Sequence, residues 1–222
     1  MKQIYLIHEH HPRLLLFFAG WGADETPFKT YRPTDSDYML CYDYRTLDFD
    51  ASLLTEYTDI RVVGWSMGVW AATRVMARTP LPVSRRIAIN GTPFPIDETC
   101  GIPPAIFQGT LDGLTDVSLH KFLRRMCADS AAFKAFLQRT PRRPLEELRE
   151  ELAAIAAQYA ALPPCEAVWN LGVVGTADRI IPPANQVQAW QKLGVPVRQT
   201  VDAHHQEALF HRYLQDVWTN DC

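Results

Sequence analysis

The chain has no large excess of charge of either sign. Twenty-two lysines and arginines stand against 25 acidic residues, a net charge of −3. That balance gives no global reason to expect nucleic acid or an anionic membrane as a partner. Long hydrophobic runs are also missing: the longest, within "LLLFFAGWGA", is far short of the roughly 20 residues a membrane span requires. The five cysteines, Cys41, Cys100, Cys127, Cys165 and Cys222, form no CxxC pair and no metal-ligand spacing, so reduced thiols and a cytoplasmic location are expected. The start, "MKQIYLIHEHH", has too short an apolar run for a secretion signal. There is no internal repeat and no low-complexity tract. With 47% hydrophobic residues among 222, the chain is long and apolar enough for a sizeable core.

What is present is an alternation. "KQIYLI", "RLLLFFAG", "YMLCYDY", "IRVVGW" and "RRIAINGTP" are short, nearly continuous apolar runs, the habit of strands buried on both faces of a parallel sheet. After Ser66, Met67, Trp70, Ala71 and Val75 recur at helical spacing until Thr79-Pro80. From 113 to 162 strand runs vanish, and "DVSLHKFLRRMC", "SAAFKAFLQR" and "PLEELREELAAIAAQYAAL" read as helices, with Pro141 and Pro144 separating the last two. "AVWNLGVVGT" and "VRQTV" restore strands, with helices over "ANQVQAWQKL" and "QEALFHRYLQDVW". The expectation is one α/β domain, its core in residues 1–112 and 163–222 and a helical cap inserted at about 113–162.

The chemistry centres on "GWSMG". Glycines two before and two after Ser66 suit a sharp strand-to-helix turn that exposes a nucleophile. A serine hydroxyl needs a base, and the base needs an acid to fix its tautomer. Asp178 in "GTADRIIPP" and the pair His204-His205 in "VDAHHQEALF" each follow a strand, so all would lie at the carboxyl end of the sheet. His205 is the expected base, its spacing copying a G-x-x-H pattern with Asp202 in the glycine position, and His204 is the alternative. Asp112 and Asp116 are reserve acids. Backbone amides of Trp21, in "FFAGWG", and Met67 are the expected oxyanion donors. No cofactor is required. The "HEHH" run, His8 to His11, is not expected to hold a metal, because alternating side-chain directions would keep the imidazoles apart.

These motifs identify a resemblance to the α/β-hydrolases across nearly the whole chain. "LLLFFAGWG", "YDYR", "VVGWSMGVWAA", "INGTPFPID" and "GTLDGLTDVSLHKFLRRMC" resemble more closely the small biotin-synthesis esterases that cleave pimeloyl-[acyl-carrier protein] methyl ester. The resemblance implies a carboxylesterase with an acyl-carrier protein bearing a methyl-esterified pimeloyl chain as its partner. Two departures stand out: Ala19 precedes Gly20 where many relatives have histidine, and no glycine precedes the histidine pair. Lys121, Arg124, Arg125, Lys134, Arg139, Arg142 and Arg143 crowd the cap with only Asp129 against them, and a basic rim would steer an acidic carrier. Arg124, Arg125, Arg142 and Arg143 are the expected carrier contacts, and Phe122 and Phe133 the expected acyl-chain contacts. A thioesterase, a broad short-chain carboxylesterase and a catalytically silent binding protein are the alternatives.

Overall fold

The computed structural model describes residues 1–166 and 168–219. Seven strands form one sheet: β1 (Lys2–Ile7), β2 (Arg13–Phe18), β3 (Asp37–Tyr42), β4 (Asp59–Trp65), β5 (Val83–Ile89), β6 (Leu171–Gly175) and β7 (Val197–Thr200). Their spatial order is β1-β3-β2-β4-β5-β6-β7. Among the described residues only β1 runs antiparallel; β2 through β7 pair in parallel. β1 is therefore separated from β2 by β3, and the histidine-containing turn between them crosses that strand rather than closing a hairpin. The continuous apolar reading has a direct counterpart: Leu14 to Phe18 are all wholly buried, as strands covered on both faces must be.

The helices are α1 (Met67–Met76), α2 (Pro104–Asp112), α3 (Asp116–Met126), α4 (Ser130–Leu137), α5 (Leu145–Ala161), α6 (Pro183–Lys192) and α7 (Glu207–Phe210), the last running into a π-helical turn, His211–Gln215. Four of them, α2 to α5, lie between β5 and β6, so the helical segment begins at 104, earlier than the expected 113. "PAIFQGTLD" lacks a strong helix signature because Pro103, Pro104 and Gly109 punctuate it. Asp112 ends α2 and Asp116 opens α3, so neither reserve acid follows a strand.

The cap helices are delimited by local hydrogen bonds. Thr115 and Ser118 form a reciprocal capping box at the start of α3, and Asp129 accepts the Ala132 N–H at the start of α4 at 2.8 Å, each satisfying a donor with no intrahelical partner. Glu146 and Glu147 sit in the first turn of α5, where the helix dipole favours negative charge. Cys41, Cys100, Cys127 and Cys165 are free thiols, and Cys222 lies outside the described residues. Among the described residues no helix is long and apolar enough to cross a membrane.

Candidate active site

Parallel strands bring their carboxyl ends to one edge, and four loops leaving that edge build the site. β4 ends at Trp65, and Ser66 follows at φ 57°, ψ −127°, a positive-φ conformation that costs a non-glycine residue about 1–3 kcal/mol. The surroundings hold it there: the Ser66 N–H donates to Ile89 O at 3.0 Å and the Val69 N–H to Ser66 O at 3.1 Å. Gly68 allows the turn to press on β2, because a Cβ there would lie 2.1 Å from Phe18 O.

Asp178 lies in the loop after β6, its side chain fully buried. Its Oδ1 accepts the Ile180 and Ile181 N–H groups at 2.7 and 3.1 Å, and its Oδ2 accepts Gln186 Nε2 at 2.8 Å. These three donors fix the orientation of the carboxyl group. The same Oδ2 lies 2.9 Å from His204 Nδ1. A carboxylate oxygen accepts, so Nδ1 is the donor in this contact, and Nε2 is the ring nitrogen left for a second partner.

The histidine assignment is thereby corrected. His204, not His205, meets Asp178, and His204 shares a cavity with Ser66, Gly20, Trp21 and Met67. His205 faces away: its N–H donates to Met126 O at 2.9 Å, and its ring packs on Phe136, Phe210 and Trp65 at 4.3, 5.1 and 5.8 Å. Burial among these rings, reinforced by the positive charges that His204 and Arg139 can carry, pushes its pKa down to about 3. The two adjacent rings thus meet different neighbours, and only that of His204 reaches the acid.

Three residues to which the motifs assigned no role complete the frame. Asn90, wholly buried at φ 45°, donates through Nδ2 to Ala203 O and His204 O at 2.9 and 3.0 Å and accepts the Gly175 N–H at 2.7 Å. It ties the acid loop to the histidine loop. Trp65 Nε1 donates to His204 O at 2.9 Å. Gln186 reaches Asp178 from α6. A left-handed asparagine directly after β5 was the one available sequence signal, since asparagine tolerates that conformation better than most residues.

The cap divides the other expected contacts. Phe122 and Arg125 line the Ser66 cavity with Ile106, Met126 and Leu152. That cavity holds about 30 Å³ and shares Ile106, Thr110, Phe122 and Arg125 with a larger one of about 470 Å³ between α2 and α3. Phe133 does not line it; its ring packs edge-on to His120 at 5.1 Å and under the Arg124 guanidinium at 5.7 Å. Arg124 donates to Ser130 Oγ at 2.9 Å, and Arg142 is exposed. Arg143 is no surface contact. Its side chain is 5% exposed and pairs with Glu151 at 2.6 Å, Asp43 at 3.1 Å and Glu147 at 3.3 Å. A basic residue beside two buried carboxylates goes inward because the charges must be compensated there.

The histidine run also departs from expectation. β1 ends at Ile7, so strand alternation no longer separates the rings, and His10 turns back at φ 61°. Ligand atoms of His8, His10 and Glu56 come within 4.8 Å of one another, all exposed.

Residues 1–218 match the model of the family described as "Pimeloyl-ACP methyl esterase BioG". A malonyl-[acyl-carrier protein] O-methyltransferase of Bacteroides fragilis (strain 638R) is 55% identical over 200 residues, 90% of this chain but 41% of that protein. The chain thus spans less than half the length of that relative. The crystal structure of SeMet-BioG from Haemophilus influenzae superposes with a TM-score of 0.86 at 37% identity, covering 97% of this chain and 100% of that one. A hydrolase from Pseudomonas aeruginosa PA01 shares 12% identity at a TM-score of 0.68, over 96% of this chain and 90% of that one, a likeness of fold alone. The fold is that of the α/β-hydrolases, as the motifs implied. The expected reaction, hydrolysis of pimeloyl-[acyl-carrier protein] methyl ester to the free acid and methanol, is corrected: the relative at 55% identity is named for a methylating rather than a hydrolytic role.

Proposed function

Because the chain belongs to the family described as pimeloyl-ACP methyl esterase BioG, we propose that it is a serine hydrolase whose acyl substrate is borne by an acyl-carrier protein. The observation that carries the reading is the 2.9 Å contact between His204 Nδ1 and the buried Asp178 carboxylate, beside the strained Ser66. Ser66 Oγ attacks the acyl carbonyl and gives its proton to His204 Nε2. Asp178 stabilises the imidazolium that forms. The tetrahedral oxyanion is held by the N–H groups of Trp21 and of Met67, which is the first residue of α1 and lacks an acceptor one turn upstream. His204 then returns the proton to the leaving group, and a water activated by the same nitrogen releases the acyl group.

The partner reading rests on two names that share an acyl-carrier protein, the family's and the Bacteroides relative's; the family's specifies a methyl-esterified pimeloyl chain. Arg125 at the Ser66 cavity, with exposed Lys121 on the same helix and exposed Arg142, offers positive charge to an acidic carrier. The test is mass spectrometry of carrier proteins loaded with malonyl or pimeloyl groups, each as free acid and as methyl ester, after incubation with the protein and with its Ser66→Ala variant. Loss of roughly 14 mass units, a CH₂, marks ester cleavage, and loss of the whole acyl group marks thioester cleavage. Either change, absent with Ser66→Ala, supports the proposal. No change in any substrate with folded protein overturns it.

A further inference from the structure

The loop after β2, which carries Trp21, is held from outside the sheet. Trp21 Nε1 donates to Leu148 O at 2.9 Å, and the Gly22 N–H donates to Glu151 Oε2 at 3.2 Å. The Arg142 N–H donates to Asp24 Oδ2 at 2.6 Å, and Arg143 Nη1 reaches Ala23 O at 3.5 Å. Every one of these partners comes from residues 142–151, on or just before α5. Gly22 sits at φ 75°, a left-handed turn that glycine enters without strain.

Glu151 is the unexpected member. It is wholly buried, and Oε1 accepts the Tyr44 N–H at 2.9 Å while Oε2 accepts from Gly22 and Arg143. Packing α5 onto the core calls for no carboxylate: Leu148, Leu152 and Ile155 already form a buried apolar face. A buried carboxylate is costly unless its oxygens meet donors, and one of the donors this side chain meets is the N–H directly after Trp21.

We propose that Glu151 is a positioning residue that, by holding the Gly22 N–H, sets the direction in which Trp21 presents its own N–H to the Ser66 cavity. The inference rests on the reading of Trp21 as an oxyanion donor. With the indole tied to Leu148 and the following peptide tied to Glu151, the backbone at Trp21 is fixed at both ends by one cap helix. Oxyanion geometry and the seating of α5 are then a single property.

The test compares Glu151→Gln, nearly isosteric, with Ile155→Ala, which weakens the same helix one turn further on. Three quantities are measured: the melting temperature, the rate of Ser66 labelling by a fluorophosphonate, and amide hydrogen exchange in the peptide containing Trp21 and Gly22. Glu151→Gln is expected to slow labelling at least about tenfold and to speed exchange in that peptide by a similar factor. On a free p-nitrophenyl ester, kcat falls while KM stays within about twofold. Ile155→Ala, at an equal or greater loss of melting temperature, should leave labelling within about twofold. Unchanged exchange at Trp21–Gly22 in Glu151→Gln, or equal slowing of labelling in both variants, overturns the proposal. Faster exchange in a protein whose wild type never labels keeps the strap and overturns the serine-hydrolase reading instead.

Discussion

The carboxyl edge of the sheet and the cap use ionisable side chains in opposite ways. At the edge they are few, and each is placed by the backbone: Asp178 and His204 are fixed by loops that leave neighbouring parallel strands. In the cap they are many, and partners decide their roles. Arg142 and Arg143 are adjacent, yet one meets solvent and the other enters a buried cluster with Asp43 and Glu151. At the edge a residue's place in the chain narrows its role to within a neighbour; in the cap it does not.

The largest effects are expected at the edge. Ser66→Ala should lower turnover of any substrate the protein cleaves by about 10⁶, with the circular dichroism spectrum unchanged. His204→Ala should approach the same loss, whereas His205→Ala should cost no more than about tenfold in kcat. Equal losses for the two histidines would undo the assignment of the base. Asp178→Asn, which leaves His204 with the wrong tautomer, is expected to cost about 10⁴ in kcat.

Smaller effects belong to the cap and appear as stability. Arg143→Ala leaves Glu151 buried without its counter-charge and should lower the unfolding free energy in urea by about 3–5 kcal/mol. Arg142→Ala should change it by no more than about 0.5 kcal/mol. The smallest effect is in pH. Burial pushes the Asp43 carboxyl up, but hydrogen bonds from Arg45 and the charges of Arg143 and Arg45 outweigh it and hold the pKa below the ordinary carboxylate value. Stability from this group is therefore complete above about pH 4 and is lost as pH falls toward its folded-state pKa. Asp43→Asn should remove that part of the acid loss in urea midpoints measured between pH 7 and 3.

Much of the edge was legible in the sequence. Continuous apolar runs gave the buried strands, and the glycines around Ser66 gave the turn, because both depend on sterics within a few residues. The choice between His204 and His205 was not, since one residue of register in the loop after β7 decides which ring faces Asp178. Asn90 and Gln186 escaped notice because their partners lie 113 or 114 residues away for the Asn90 amide and 8 for the Gln186 amide, and only folding brings those groups together. In the cap, helices α3 to α5 were readable, while α2 was hidden by prolines and Gly109. The inward turn of Arg143 was unreadable for the same reason as Asn90: Asp43, 100 positions earlier in the chain, supplies a charge that makes burial tolerable.

The most direct measurement is mass spectrometry of the folded protein treated with a fluorophosphonate, run beside His204→Ala and His205→Ala. A single adduct on Ser66, formed at comparable rates in wild type and His205→Ala but at least about 10³-fold more slowly in His204→Ala, is the predicted result. No adduct on the wild-type protein, or labelling indifferent to His204, would contradict the account.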